Sequence, residues 1–371
     1  MANRRKVLSA IGAFAGAALL GSYFKFFRKS GESSMPSSIK TFPLASQWPV
    51  QEPFIFFAYH HDLYPKGTHA LGPDHHDFHK RNMGQDFDGL NGYSMYHGRE
   101  VPGFPVHPHR GFETITIVRK GYVDHSDSMG AAGRYGEGDV QWMTAGSGVQ
   151  HSEMFPLLKP DGANTLELFQ IWLNLPKRSK KVAPHFTMFW SEQIPRVEIQ
   201  RDGVSVNVVA GEFEGKRGLP PPPDSWAADA ANEVSILILT FDENGKAKIP
   251  KSKSEVNRML YFFEGDRMEI NGSEFSGKTG IQISSLEDLE FVNKGGRAEV
   301  LLLQAKAIGE PVFQHGPFVM NTREDIIQTI QDYQRTEFGG WPWKEHEMTH
   351  GRVIERFAKY PDGRIEKPKE S

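Results

Sequence analysis

The sequence predicts an all-β protein: two β-barrels packed together, with a helix near the C-terminus and a separate targeting segment at the N-terminus. Three observations lead there. Stretches that read as short strands recur between Pro53 and Phe263, several with the period-2 alternation of a strand with one buried face. The chain has 371 residues, and its 37 Gly and 24 Pro supply the turns that many short strands require. Two residue pairs, His107-Pro-His109 and His151-Ser-Glu153, carry the i, i+2 spacing that places both side chains on one face of a strand.

Residues 1–42 stand apart from the barrels as a signal or anchor with its linker. Arg4-Arg5-Lys6 precede an uncharged 18-residue run from Val7 to Phe24. The start resembles a twin-arginine export signal, which carries folded proteins across a membrane. The run is also about long enough to span a bilayer, for which roughly 17–25 residues are needed. Lys25, Arg28 and Lys29 follow it, so the charges on its two sides balance and set no orientation. A periplasmic or membrane-anchored location is expected, and a cytoplasmic one if this start is no signal. Residues 30–42 are polar and read as the linker.

Residues 43–180 form the first predicted barrel. Pro53 to Tyr59 reads as a buried strand. Residues 60–100, rich in His, Asp, Gly and Asn, read as a long loop near the barrel mouth. His60-His61 and the run Asp74 to His79 contain ligand-type residues, but a loop fixes no ligand geometry, and both read as solvated polar sequence. After His107 and His109, Thr114 and Thr116 alternate with Ile115 and Ile117. His125, in Asp-His-Ser-Asp, reads as a hydrogen-bonded structural histidine. Trp142, Met143 and Met154 read as core or cavity wall. Leu166 to Leu175 is a further strand, on which Gln170 and Trp172 share a face; Gln170 faces either a substrate or a structural partner. Two ligand pairs on adjacent strands would aim His107, His109, His151 and Glu153 at one point.

Residues 181–315 form the second predicted barrel, with strands around Val204 to Val208, Ser235 to Phe241 and Met259 to Phe263. Residues 218–231, with four prolines at 220–223, are an inserted loop. No histidine lies between His185 and His315, so this barrel has no imidazole to offer a metal. Residues 316–371 are a helix and tail. Thr322 and Asp325 form a capping signal, Ile326, Ile327, Ile330 and Tyr333 mark an apolar face, and Gly339-Gly340 end the helix. The stretch from Trp341 to Arg352 has no period and is expected to pack along the surface.

The 43 basic and 46 acidic residues leave a net charge of −3, which points to no nucleic-acid partner. Without cysteine there is no disulfide, thiolate metal site or catalytic thiol. A metal site is then restricted to nitrogen and oxygen ligands, which suits Fe, Mn, Ni, Co or Cu.

The wording around both pairs is similar to a known family. His-Pro-His-Arg-Gly-Phe-Glu-Thr from His107 resembles a first cupin motif, and Gly138 to His151 a second. Together with Asp139-Val-Gln-Trp-Met-Thr-Ala-Gly146, Phe169 to Pro176, and Gln314 to Thr322, they resemble the pirin family of bicupins over roughly residues 45 to 340. The resemblance implies two cupin-type jelly-roll barrels. It implies one divalent transition metal, Fe(II) first, held by His107, His109, His151 and Glu153. Glu113 matches the glutamate that ligates in general cupins; in pirins the glutamate beside the last histidine takes that place, which leaves Glu113 to orient an imidazole.

Some pirins are quercetinases. The implied function is a metal-dependent quercetin 2,3-dioxygenase type of activity, with a flavonol or other aromatic enediol and O₂ as reactants and Glu153 as the catalytic base. Two alternatives stand beside it: a metal-binding regulatory or redox-sensing protein, and a metal-dependent cupin isomerase.

Overall fold

The computed structural model describes residues 39–369. The targeting readings on Arg4, Arg5 and the Val7 to Phe24 run lie outside the described residues. Two double-sheet barrels make up the described chain. In the first, a five-stranded sheet runs in the order His185–Phe189, Val140–Thr144, Phe112–Lys120, Asn164–Asn174, Phe54–Tyr64. It faces a six-stranded sheet ordered Ile365–Glu366, Phe357–Lys359, Ala132–Gly136, Tyr122–Asp127, Val149–Met154, Gly103–His109. In the second barrel a seven-stranded sheet, from Lys40–Pro43 at one edge to Arg196–Ile199 at the other, faces a four-stranded one. Every pairing inside these four sheets is antiparallel.

The two barrels share a core. Phe57, Ile115, Ile117, Trp142 and Ile171 of the first pack against Val209, Ile236, Tyr261 and Leu301 of the second. Trp48 lies between them, stacked on Phe57 at 4.5 Å and on Tyr261 at 5.1 Å between ring centres. Arg119 joins the barrels by charge, bonding Glu167 on one side and Glu299 on the other. The interiors differ. The second barrel is filled by apolar side chains such as Val206, Leu239, Phe262, Ile270 and Val300. The first buries Thr114, Thr116, His125, Asp127, Gln141, His151 and Glu153. Buried polar groups cost free energy unless they are partnered, so a polar barrel interior marks a place kept for chemistry.

The division of the chain departs from the sequence reading at three places. Strand His185–Phe189 pairs with Val140–Thr144 of the first barrel, so the second begins later than residue 181. Lys40–Pro43, placed mostly within the linker, pairs with Thr279–Gln282 of the second barrel. The tail, in which no strand was expected, adds strands Phe357–Lys359 and Ile365–Glu366 to the first barrel beside Ala132–Gly136. Each crossing covers a sheet edge that would otherwise present unpaired N–H and C=O groups.

Helix Arg323–Thr336 starts where the capping signal put it: the Thr322 hydroxyl accepts from the Asp325 N–H at 3.1 Å. Ile326 and Tyr333 are buried against Phe318 and Met320, and Ile330 packs beside them. Ile327 is 48% exposed and does not belong to that face.

Candidate metal centre

His107 and His109 stand on the edge strand Gly103–His109, and His151 and Glu153 on its neighbour Val149–Met154. The antiparallel register sets His107 opposite His151. With the two-residue period of a strand, this brings three imidazoles to one place inside the barrel. Their candidate ligand atoms all lie within 4.8 Å of one another, and among the described residues no other group of three or more ligand-type side chains meets that condition. The Nε2 atoms of His107 and His109 are 3.1 Å apart. Ring centres are separated by 4.4 Å for His107 and His151 and by 4.8 Å for His109 and His151.

Backbone carbonyls orient two of the rings. His107 Nδ1 donates to the Pro105 carbonyl at 2.8 Å, which leaves Nε2 facing the cluster. The Pro317 carbonyl holds the His109 ring. A carbonyl on the far nitrogen fixes the tautomer of a ligating imidazole. Pro317 belongs to the Gln314 to Thr322 motif, which folds back on the first barrel: Arg110 N–H donates to the Pro317 carbonyl at 3.3 Å, and Val319 N–H to Arg110 at 3.0 Å.

All three histidines are buried, and burial lowers their pKa: His107 to about 4, His109 and His151 well below the ordinary value. They are therefore neutral at pH 7, the form that ligates a metal. His151 supplies the test of fit. Neither of its ring nitrogens has a hydrogen-bond partner, although the residue is fully buried. Leaving such a group unsatisfied costs about 1–3 kcal/mol. A metal ion taken up by one of these nitrogens and by the two neighbouring rings would satisfy that nitrogen, so the residues present fit the group.

Glu153 stands at the edge of the triad, with Oε2 3.9 Å from His151 Nε2. Three strands hold it. Gln170 Nε2 donates to Oε2 at 2.7 Å; Tyr135 OH lies 3.4 Å from Oε1 and the Thr116 hydroxyl 3.0 Å from it. Burial raises its pKa, against the charge of His125 and these hydrogen bonds, which lower it. Gln170 is thus a partner of the glutamate. It is also half-exposed on an otherwise buried stretch of strand, so solvent reaches the site beside it. Thr116 and Tyr135 were not singled out in the sequence. The alternation at Thr114 and Thr116 was the available signal for the first; Tyr135 gave none.

Other candidates are placed elsewhere. Glu113 touches no site histidine. It points to the barrel–barrel face, where the Thr144 hydroxyl donates at 2.7 Å and the Ser225 hydroxyl, from the proline-rich insertion, at 2.5 Å. It shares strand parity with Ile115 and Ile117 of the shared core, so it cannot orient an imidazole. Trp142 is in that same shared core, and the tryptophan beside the site is Trp172, 5.3 Å from His109. Met154 packs in a separate cluster with Leu71, Val101 and Leu158. His125 is hydrogen-bonded, as expected, to Asp127 and Gln141, each at 3.2 Å, and its ring lies 5.5 Å from that of His151. His60 and His61 lie within strand Phe54–Tyr64 instead of a loop, and His60 is buried. Asp74 to His79 forms an exposed turn whose Asp74 carboxylate caps His76 N–H at 3.0 Å.

This site, in one of two packed barrels, defines a bicupin with a single imidazole cluster among the described residues. Known proteins agree. The Pirin family profile matches residues 41–173, and that of the Pirin C-terminal cupin domain matches 237–339. A pirin-like protein of Caulobacter vibrioides is 38% identical over 237 residues, 64% of this chain and 80% of that protein. Mouse pirin is 33% identical over 255 residues, 67% of this chain and 81% of its own length. The crystal structure of quercetin 2,3-dioxygenase from Acinetobacter baumannii aligns with a TM-score of 0.65 at 25% identity, over 83% of this chain and 99% of that one. The chain belongs to the pirin family.

Proposed function

We propose that this protein is a metal-dependent dioxygenase of the quercetin 2,3-dioxygenase type, acting with O₂ on a flavonol or another aromatic enediol. The observation that carries the proposal is the buried cluster of three neutral imidazoles with a carboxylate at its edge. Similarity to the Acinetobacter baumannii quercetin 2,3-dioxygenase over nearly all of that chain supports it. A divalent transition metal, Fe(II) first and Mn, Ni, Co or Cu otherwise, held by His107, His109, His151 and Glu153, would supply Lewis acidity and open positions for substrate and O₂.

The chain's own residues supply the rest. Glu153 takes the proton of a substrate hydroxyl at a carboxylate oxygen. Its buried, raised proton affinity suits a general base better than an exposed glutamate would. Gln170, Thr116 and Tyr135 hold the carboxylate in place while it does so. Phe112 and Trp172, with ring centres 5.0 and 5.3 Å from that of His109, exclude water on that side.

Two variants test the proposal. His109→Ala removes one ligand and is expected to leave the purified protein with little metal by elemental analysis. Glu153→Gln keeps an oxygen ligand but no base; turnover is expected to fall by about 10²–10⁴-fold, the range of a lost general base, with metal content falling far less. Full metal occupancy in His109→Ala, or unchanged turnover in Glu153→Gln, would contradict it.

A further inference from the structure

We infer that loop 81–97, together with Phe104, forms a subsite for a flat aromatic ring beside His107. The inference takes the position of the reacting centre from the proposal above; the subsite itself stands on separate observations.

A chain of rings leads from solvent to the histidines. Phe87 is 54% exposed at the loop surface. It stands edge-on to Tyr96 at 5.4 Å and to His97 at 5.1 Å between ring centres. Phe104 stacks on Tyr96 at 5.2 Å, meets His97 edge-on at 5.6 Å, and reaches His107 at 6.4 Å. His60 closes the back of the group against Tyr96 and Phe104, at 4.8 and 5.9 Å. Phe104 and His97 are half-buried, so the group keeps accessible ring surface next to the cluster. Aromatic rings prefer offset-stacked or edge-to-face partners at these separations, and another flat ring is the ligand such surfaces accept.

The loop is anchored by contacts that do not involve Phe87. The buried Arg81–Asp86 pair closes at 2.7 Å, and the Arg81 guanidinium lies 3.9 Å over the Tyr93 ring. Asp62, on strand Phe54–Tyr64, accepts from Ser94 N–H at 2.8 Å and from Tyr96 OH at 2.7 Å. Tyr96 itself is held at φ +57°, a left-handed conformation that is strained for a non-glycine residue. Its backbone bridges Asp86 on one side and Gly103 on the other, which lays the loop against the start of the strand that carries His107. Phe87 takes no part in this anchoring and still projects into solvent. Its ring rests edge-on on Tyr96 and His97 and leaves its outer surface open to a further flat ring.

Flavone is the probe. It keeps the ring system of a flavonol but has no hydroxyl to bind at a metal. Its affinity is measured by quenching of tryptophan fluorescence in the full-length protein, in Phe87→Ala, in Phe104→Leu and in His109→Ala. Phe87→Ala removes an exposed ring, and Phe104→Leu keeps apolar volume, so neither depends on rebuilding the core. Each is expected to weaken flavone binding about fivefold to tenfold, the size of one or two aromatic contacts, while His109→Ala leaves it within about twofold. No flavone binding by the unaltered protein, or equal affinity in all four, would overturn the subsite even if quercetin is turned over. Flavone binding that depends on Phe87 and Phe104 in a protein that turns over no flavonol would uphold the subsite and remove the dioxygenase proposal instead.

Discussion

Glu113 and Glu153 are both buried glutamates of the first barrel, and their environments give them different work. Glu153 faces the interior and the histidines. Glu113 faces the second barrel, where burial raises its pKa to about 7 against hydrogen bonds from Ser225 and Thr144. The consequence for stability has a definite sign. A carboxyl whose folded pKa is raised contributes stability that is fully present below its ordinary value of 4.5 and is lost as pH rises through about 7. Glu113→Gln removes that loss. The variant is expected to unfold at a higher temperature than the unaltered protein at pH 8, by an amount on the order of 3 kcal/mol in stability, and to show little gain at pH 4.5. Thermal unfolding at the two pH values checks this; a larger gain at pH 4.5 than at pH 8 would contradict it. The sequence could not assign Glu113, because strand Phe112–Lys120 is buried on both faces through Val118. Parity separates the two sides of such a strand without saying which faces the site. His60 was misread for a related reason: its strand runs on to Tyr64, past the point where the apolar run stops.

At the level of elements, the two ligand strands and the capped helix were legible because each carries its own signal: ligand spacing in the strands, a capping threonine in the helix. The tail was not. Its strands Phe357–Lys359 and Ile365–Glu366 are too short to show a period and exist because Ala132–Gly136 offers an edge. Before reaching that edge, the tail seals the outer side of the sheet that carries the three histidines. Trp343 Nε1 donates to the Asp127 carbonyl at 2.7 Å, and the His350 N–H to Asp124 at 2.8 Å. The Gly351 and Val353 carbonyls receive Arg134, whose guanidinium is also paired with Asp124 inside the sheet. Ending the chain after Gly340 would leave this buried ion pair open to water on one side and the sheet edge unpaired. The truncated protein is expected to lose several kcal/mol of stability and to aggregate as it is warmed, read by thermal unfolding with light scattering. A melting temperature equal to that of the full chain would show that the tail is a passive appendage.

For the whole molecule, the two barrels divide the labour: one has a polar interior with the histidines, the other an apolar interior and the packing partner. The N-terminal segment bears on where this unit works. We propose that it directs the protein to the periplasm or anchors it at the membrane. Changing both Arg4 and Arg5 to Lys is expected to hold the protein in the cytoplasm. Cell fractionation that finds the unaltered full-length chain in the soluble cytosol would contradict this.

The histidine cluster is proposed to perform oxygen-dependent chemistry. Oxygen uptake recorded with metal-loaded protein and quercetin, beside an anaerobic control, tests it most directly. O₂ is expected to be consumed in step with quercetin, and neither to be consumed anaerobically or by His109→Ala. Equal loss of quercetin with and without O₂ would point to isomerase chemistry, and no turnover of any flavonol or enediol would point to a binding protein; either result would rule out dioxygenase chemistry at the cluster.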